Sequence, residues 1–216
     1  MQLRPGMKLD RERYLLYGIT DRGYLCGNTL EEAAEEALLG GVSILQLREK
    51  DLDESDLRSE AIALRALCKR YQVPLILDDD VALAVELDLD GVHVGQNDMP
   101  AMEARRIIGP DKILGVTAKT AEQARAAEAA GADYLGSGAM FGTHTKLDAR
   151  PMSCGTLKEI AASVSIPVVA IGGITLENVR ELKGTGIAGV AVAGGLFGQP
   201  DIRRAAAVLK EAVKSL

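Results

Sequence analysis

Cysteine, histidine, proline and tryptophan are all scarce: 216 residues hold three cysteines, two histidines, seven prolines and no tryptophan. Cys26, Cys68 and Cys154 are scattered and form no C-x-x-C pair, which argues against a zinc site. They read instead as reduced thiols of a cytosolic chain. No apolar run reaches the ~18 residues that a membrane-spanning helix needs. Residues 1–13 are charged, lack the apolar core of a secretory signal and read as an N-terminal extension. A cytoplasmic location is therefore expected. An excess of positive charge is also missing, since 25 Lys and Arg face 31 Asp and Glu for a net charge of −6. That balance excludes a general binder of nucleic acid or of a membrane surface. Any anion site must be a local cluster of cations and backbone N–H groups. With no low-complexity linker, residues 1–216 are expected to form one domain, and the chain is long enough to bury about 70% of its unfolded surface.

What the chain does have is alternation. Short β-rich apolar runs cover residues 15–19, 43–47, 75–77, 91–94, 113–116, 134–136, 168–171 and 189–192. Amphipathic helical stretches lie between and after them, at 30–39, 54–71, 81–87, 102–108, 121–130, 155–162, 176–182 and 202–213. Strands alternating with helices mean βαβ units and a parallel sheet. Eight such units suit a closed (β/α)8 TIM barrel better than an open doubly wound sheet. Gly40-Gly41, Gly131 and Gly186 each follow a helical stretch and precede a strand, where a glycine ends the helix.

Chemistry in such barrels sits at the C-terminal ends of the strands. The residues found there are Thr20-Asp21-Arg22, Gln46, Arg48, Lys50, Asp78-Asp79-Asp80, His93, Gln96, Asp98, Thr117, Ser137, Gly172-Gly173 and Gly194-Gly195. Period two places Gln46, Arg48 and Lys50 on one side of their strand and Leu47 and Glu49 on the other. An amide and two cations aimed into the mouth suit a phosphate or pyrophosphate; the competing reading is a solvated charge cluster. Asp79 and Asp98 end neighbouring strands, so both carboxylates can meet one Mg²⁺, which prefers one or two carboxylates completed by phosphate oxygens and water. Helix capping is the alternative for these aspartates, and it is the expected role of Asp80. The two Gly-Gly pairs follow the last two strands, where backbone N–H groups form a phosphate site in many such barrels. Gly142-Thr143-His144-Thr145-Lys146 offers two hydroxyls and a cation in a long loop, either an anion clamp or a polar surface loop. A lone His93 inside a strand is more often a hydrogen-bonded core residue than a reacting group.

Taken together, Tyr17-Gly18-Ile19-Thr20-Asp21, Gln46-Leu47-Arg48-Glu49-Lys50, the run from Asp90 to Asp98, Gly115-Val116-Thr117, Thr143-His144-Thr145-Lys146 and Ile171-Gly172-Gly173-Ile174 resemble the thiamine-phosphate synthase family over nearly the whole chain. The resemblance implies a transferase of thiamine biosynthesis. It would join 4-amino-5-hydroxymethyl-2-methylpyrimidine pyrophosphate to 4-methyl-5-(2-hydroxyethyl)thiazole phosphate, giving thiamine phosphate and pyrophosphate. It assigns Mg²⁺ to Asp79 and Asp98. Arg48, Lys50, Asp78, Thr117 and Lys146 go to the pyrimidine pyrophosphate, with Gln46 near the pyrimidine. Arg48, Lys50, Thr117 and Lys146 are then the catalytic set. Thr143, Thr145, Gly173, Ala193 and Gly194 go to the thiazole phosphate.

Two positions depart from the family pattern. Asp78-Asp79 stands where Asn-Asp is usual, which puts an extra carboxylate beside pyrophosphate. Ala193-Gly194 stands where a branched residue and Ser are frequent, which removes a phosphate-binding hydroxyl. The expected partners are the two small-molecule substrates, with no nucleic acid and no membrane; a homo-oligomer is compatible with the sequence. Rival readings are a thiazole tautomerase-like relative, a sugar-phosphate isomerase on the same scaffold, and a non-catalytic barrel that binds the precursors. The first would not need the paired aspartates, Lys50 or Lys146, and the second lacks an acid/base pair.

Overall fold

A computed structural model describes residues 10–25, 27–142 and 151–216. Eight parallel strands close into a barrel in chain order. They are β1 (Leu16–Ile19), β2 (Ile44–Leu47), β3 (Leu75–Asp78), β4 (Gly91–Val94), β5 (Ile113–Thr117), β6 (Tyr134–Gly138), β7 (Val168–Ile171) and β8 (Gly189–Val192). The closing pair sets Leu16 opposite Val190 and Gly18 opposite Val192. The outer helices are α1 (Leu30–Leu39), α2 (Glu54–Tyr71), α3 (Val81–Glu86), α4 (Ala101–Ile108), α5 (Ala121–Ala129), α6 (Cys154–Ala162), α7 (Gly194–Phe197) and α8 (Ile202–Val213). The (β/α)8 expectation holds. Among the described residues, no helix is long and apolar enough to cross a membrane.

Strand parity builds two apolar cores. Leu45, Leu47, Leu75, Leu77, Val92, Val94, Leu114, Val116 and Leu135 belong to the larger core, shared with the helices. Tyr17, Ile19, Ile44, Ile76, Ile113, Tyr134, Val169 and Ala191 fill the barrel interior. Helix starts follow side-chain capping. Thr29 and Glu32 form a capping box on α1, and Asp53, Asp80, Thr120, Ser153 and Asp201 each accept an amide of the first turn that follows. Asp80 is thus a cap, as expected.

One expected helix is not there. Residues 176–182 form only a 3-10 turn, Val179–Leu182. Asn178 accepts from the amide of Thr175 and donates to the carbonyl of Gly173, which ties this turn back to the segment that leaves β7.

The N-terminal end of the barrel is fastened by side chains bonded to backbone. Arg105 donates to the carbonyls of Gly109 (2.7 Å), Lys112 (2.7 Å) and Gly131 (3.0 Å) and pairs with Asp133, which accepts the amide of Leu114 at 2.8 Å. Asp90 accepts the amide of Leu75 at 2.9 Å, and Arg11 donates to the carbonyls of Gly186 and Ile187. These contacts leave the opposite end, with its loops, for chemistry.

Candidate active site at the barrel mouth

The inward side of β2 carries Gln46, and the same parity continues into the loop through Arg48 and Lys50. Gln46 is buried, and its amide nitrogen donates to the Tyr17 hydroxyl at 3.0 Å. The buried Thr20 accepts the amide of Arg48 at 3.0 Å, which fixes the strand exit. Glu49 turns to the other side and pairs with Arg22 at 3.0 Å. The alternation expected for this segment is therefore present.

Two cations and two carboxylates meet above β2 and β3. Arg48 Nε lies 3.4 Å from Asp78 Oδ2, and Lys50 Nζ lies 3.9 Å from Asp78 Oδ2 and 2.9 Å from Asp79 Oδ2. Asp79 adopts φ +63°, a left-handed conformation that Asp tolerates better than most side chains. Its amide donates to the carbonyl of His93 at 2.9 Å, tying β3 to β4 at the mouth. Asp98 accepts the amide of Gly95 at 2.7 Å. Burial, and next the charge of Asp79, push the Asp78 carboxyl up to about 6, with Asp98 adding to the rise and Lys50 and Arg48 opposing it.

Asp78 thus feels the charge of both Asp79 and Asp98. Among the described residues, no group of three or more His, Cys, Asp or Glu side chains forms a ready-made metal cage. A site for Mg²⁺ needs less, because two carboxylates suffice when substrate phosphate and water supply the other ligands. Asp79 and Asp98 fit that donor set.

Thr117 ends β5, and its hydroxyl lies 3.0 Å from His93 Nε2. The other ring nitrogen of His93 lies 3.0 Å from the Tyr134 hydroxyl. Desolvation lowers the imidazole pKa to about 4, so the ring is neutral at physiological pH. His93 is thus the hydrogen-bonded interior histidine that its setting suggested.

Across the barrel, Gly172 and Gly173 take φ +99° and +64°, which a side chain rarely adopts. Ala193 and Gly194 follow β8 directly, and Gly194 opens α7. A Cβ at 194 would fall 2.6 Å from Tyr24 Cζ, so the glycine makes room for a tyrosine ring. Absence of a side chain at 194 thus reflects protein packing. Gly194→Val should destabilise the protein by about 1–3 kcal/mol through overpacking. Adding Tyr24→Ala should recover most of that in thermal unfolding; no recovery would mean that the clash lies elsewhere. Thr143, Thr145 and Lys146 lie outside the described residues.

The residues that sequence reading missed are Tyr17 and Tyr134, which link Gln46 to His93 through hydroxyls 2.8 Å apart. The signal was available, since both occupy inward positions of strands otherwise lined by Ile and Gly. Tyr24 was missed as well, because its loop shows no periodicity.

Comparison with known proteins identifies the family. The family model described as thiamine monophosphate synthase matches residues 16–196. A thiamine-phosphate synthase of Ruminiclostridium cellulolyticum is 48% identical, over 92% of this chain and 94% of that protein. The one from Clostridium botulinum is 44% identical, over 92% and 93%. The solved thiamine phosphate pyrophosphorylase of Pyrococcus furiosus superposes with a TM-score of 0.86 at 39% identity, covering 94% of this chain and 97% of that one. The comparisons give no support to a tautomerase-like or non-catalytic reading. A barrel with this polar mouth, matched over its length by these relatives, belongs to the thiamine-phosphate synthase family.

Proposed function

We propose that the mouth described above carries out the family's transfer, joining the pyrimidine methyl pyrophosphate to the thiazole phosphate with release of pyrophosphate. The observation that carries this assignment is the meeting of Arg48, Lys50, Asp78 and Asp79 at the ends of β2 and β3. In the absence of substrate each cation is held by a carboxylate. Pyrophosphate offers them a denser negative partner, and Arg48 and Lys50 turn from the aspartates to it.

Asp79 and Asp98 would hold Mg²⁺, which when bound neutralises charge on the departing pyrophosphate. The bond between the pyrimidine methylene carbon and the bridging oxygen breaks, and its electron pair leaves with pyrophosphate. The thiazole nitrogen supplies its lone pair to the new C–N bond. No proton is transferred in either event, so no general base is required, in keeping with a neutral, internally bonded His93. Arg48, Lys50 and Lys146 stabilise the charge that develops on the leaving group, and Thr117 meets one of its oxygens. Gln46 faces the pyrimidine. Thr143, Thr145, Gly173, Ala193 and Gly194 receive the thiazole phosphate. The same reading places the chain in the cytoplasm, allows a homo-oligomer and assigns it no nucleic-acid partner.

Release of inorganic pyrophosphate, followed with each substrate alone and with both, tests the assignment. Release is expected only when both substrates and Mg²⁺ are present. Release from the pyrimidine substrate alone at the same rate would make the protein a hydrolase. No release with both would leave it a binder.

A further inference from the structure

The barrel interior contains an unbroken polar chain beneath the mouth. Gln46 Nε2 donates to Tyr17 Oη at 3.0 Å. The hydroxyls of Tyr17 and Tyr134 are 2.8 Å apart. Tyr134 Oη is 3.0 Å from His93 Nδ1, and His93 Nε2 is 3.0 Å from Thr117 Oγ1. Room for its central junction comes from missing side chains. A Cβ at Gly115 would lie 2.3 Å from Tyr134 Oη and 2.4 Å from His93 Nδ1, and one at Gly136 would lie 3.1 Å from His93 Cε1.

Counting protons gives this chain a direction. Each hydroxyl has one proton to donate, and a neutral imidazole has one N–H. Gln46 presents its nitrogen to Tyr17, so the Tyr17 proton passes to Tyr134 and the Tyr134 proton to Nδ1. The imidazole proton then sits on Nε2 and is donated to Thr117. The Thr117 proton is the one left over, and it is free for a ligand. With the Gln46 nitrogen facing Tyr17, the opposite order would leave the proton of Tyr17, which is 1% exposed, without a hydrogen-bond acceptor among the described residues. A buried donor without a partner loses its hydration for nothing in return.

We propose that Tyr17, Tyr134 and His93 are positioning residues that form a polarised hydrogen-bond relay, set by the amide of Gln46, which presents the Thr117 hydroxyl as a donor to the substrate's pyrophosphate. This rests on the reading that Thr117 meets that group. The sequence of bonds belongs to a neutral ring, since a protonated one would donate from both nitrogens and break it. The relay also joins two subsites. A heterocycle whose amino group donates to Gln46 Oε1 keeps the amide nitrogen toward Tyr17, and so keeps Thr117 a donor to the leaving group. A ring that demands the amide nitrogen turns Gln46 over and reverses every bond, which uses up the Thr117 proton. Recognition of the ring is thereby tied to contact with the group that departs.

Protein labelled with ¹⁵N at histidine tests the direction without turnover, so it can fail independently of the assigned reaction. The chain has two histidines, and the His93 signals are identified by their loss in His93→Gln. The expected result at neutral pH is a proton on Nε2 and none on Nδ1. A proton on Nδ1, or a mixture of both tautomers, overturns the proposal. Kinetics supply a second reading. Tyr134→Phe interrupts the relay at a residue placed in neither substrate subsite. It should raise the KM for the pyrimidine pyrophosphate about tenfold, the scale of one hydrogen bond to a charged group, and leave that for the thiazole phosphate unchanged. Thr117→Ser should keep most of the activity that Thr117→Val loses. Equal shifts in both KM values for Tyr134→Phe, or no shift in either, would reject the relay.

Discussion

Asp79→Asn is expected to lower kcat by at least ~10²-fold, the scale of losing one strong electrostatic stabiliser of a transition state. Asn is the informative substitution because residue 79 sits at φ +63°, where Asn, like Asp, is tolerated and Ala is strained. The change therefore removes charge with little disturbance of the turn. Two losses combine in it. Lys50 loses the carboxylate that holds it at 2.9 Å, and a divalent ion loses one of two anionic ligands. Steady-state pyrophosphate release across a range of Mg²⁺ concentrations separates them. A metal defect is relieved in part by more Mg²⁺, whereas a misplaced Lys50 is not. Full activity of the unsubstituted protein in excess chelator would refute metal dependence outright.

Asp78→Asn is expected to do the opposite to the resting protein, making it more stable. Burial and the neighbouring Asp79 carboxylate push the Asp78 pKa up to about 6, so folding favours its neutral form. The stability that this group contributes is fully present below the ordinary carboxylate range. It is lost as pH rises through about 6, because ionisation is then easier in the unfolded chain. At pH 8 a displacement of that size corresponds to about 3 kcal/mol. Asn carries no such penalty. In metal-free protein its melting temperature should exceed that of the unsubstituted protein at pH 8, by roughly 2–4 °C for each kcal/mol gained. The two should converge near pH 4. Melting curves that differ equally at both pH values would contradict this account.

The same exchange bears on substrate. Removing a like charge beside pyrophosphate should tighten the pyrimidine substrate by about 1 kcal/mol, roughly five-fold, since Arg48 and Mg²⁺ cancel most of the bare repulsion. Calorimetric titration of both proteins at two Mg²⁺ concentrations measures it. Weaker binding by Asp78→Asn at saturating Mg²⁺ would make Asp78 a metal ligand and reject the repulsion.

The barrel was legible because hydrophobic period and glycine placement agree along the chain. β4, β7 and β8, with α1, α2 and α8, begin and end where their apolar patterns do. The expected helix at 176–182 is only a 3-10 turn, because apolar spacing over so few residues does not tell one from the other. At the site, alternation along β2 was enough to bring Gln46, Arg48 and Lys50 to the mouth. It could not say what each would touch. The pairing of Lys50 with Asp79 depends on a left-handed turn that an aspartate gives no notice of. Tyr134 meets His93 because Gly115 lies between them on the intervening strand, a correlation among three strands that no single window contains.

Arg105 and Asp133, with Asp90 and Arg11, hold the strands from the end opposite the mouth, largely through backbone carbonyls and amides. Bonds to backbone do not depend on which side chains the mouth displays. Variation in the upper loops can therefore alter substrate range while the strand order stays fixed, and the lower end carries the burden of heritable shape. In a laboratory search for new acceptors or leaving groups, libraries confined to the loops after β1 and β6 should retain folded members at high frequency. Libraries that include position 105 or 133 should be dominated by chains that do not fold.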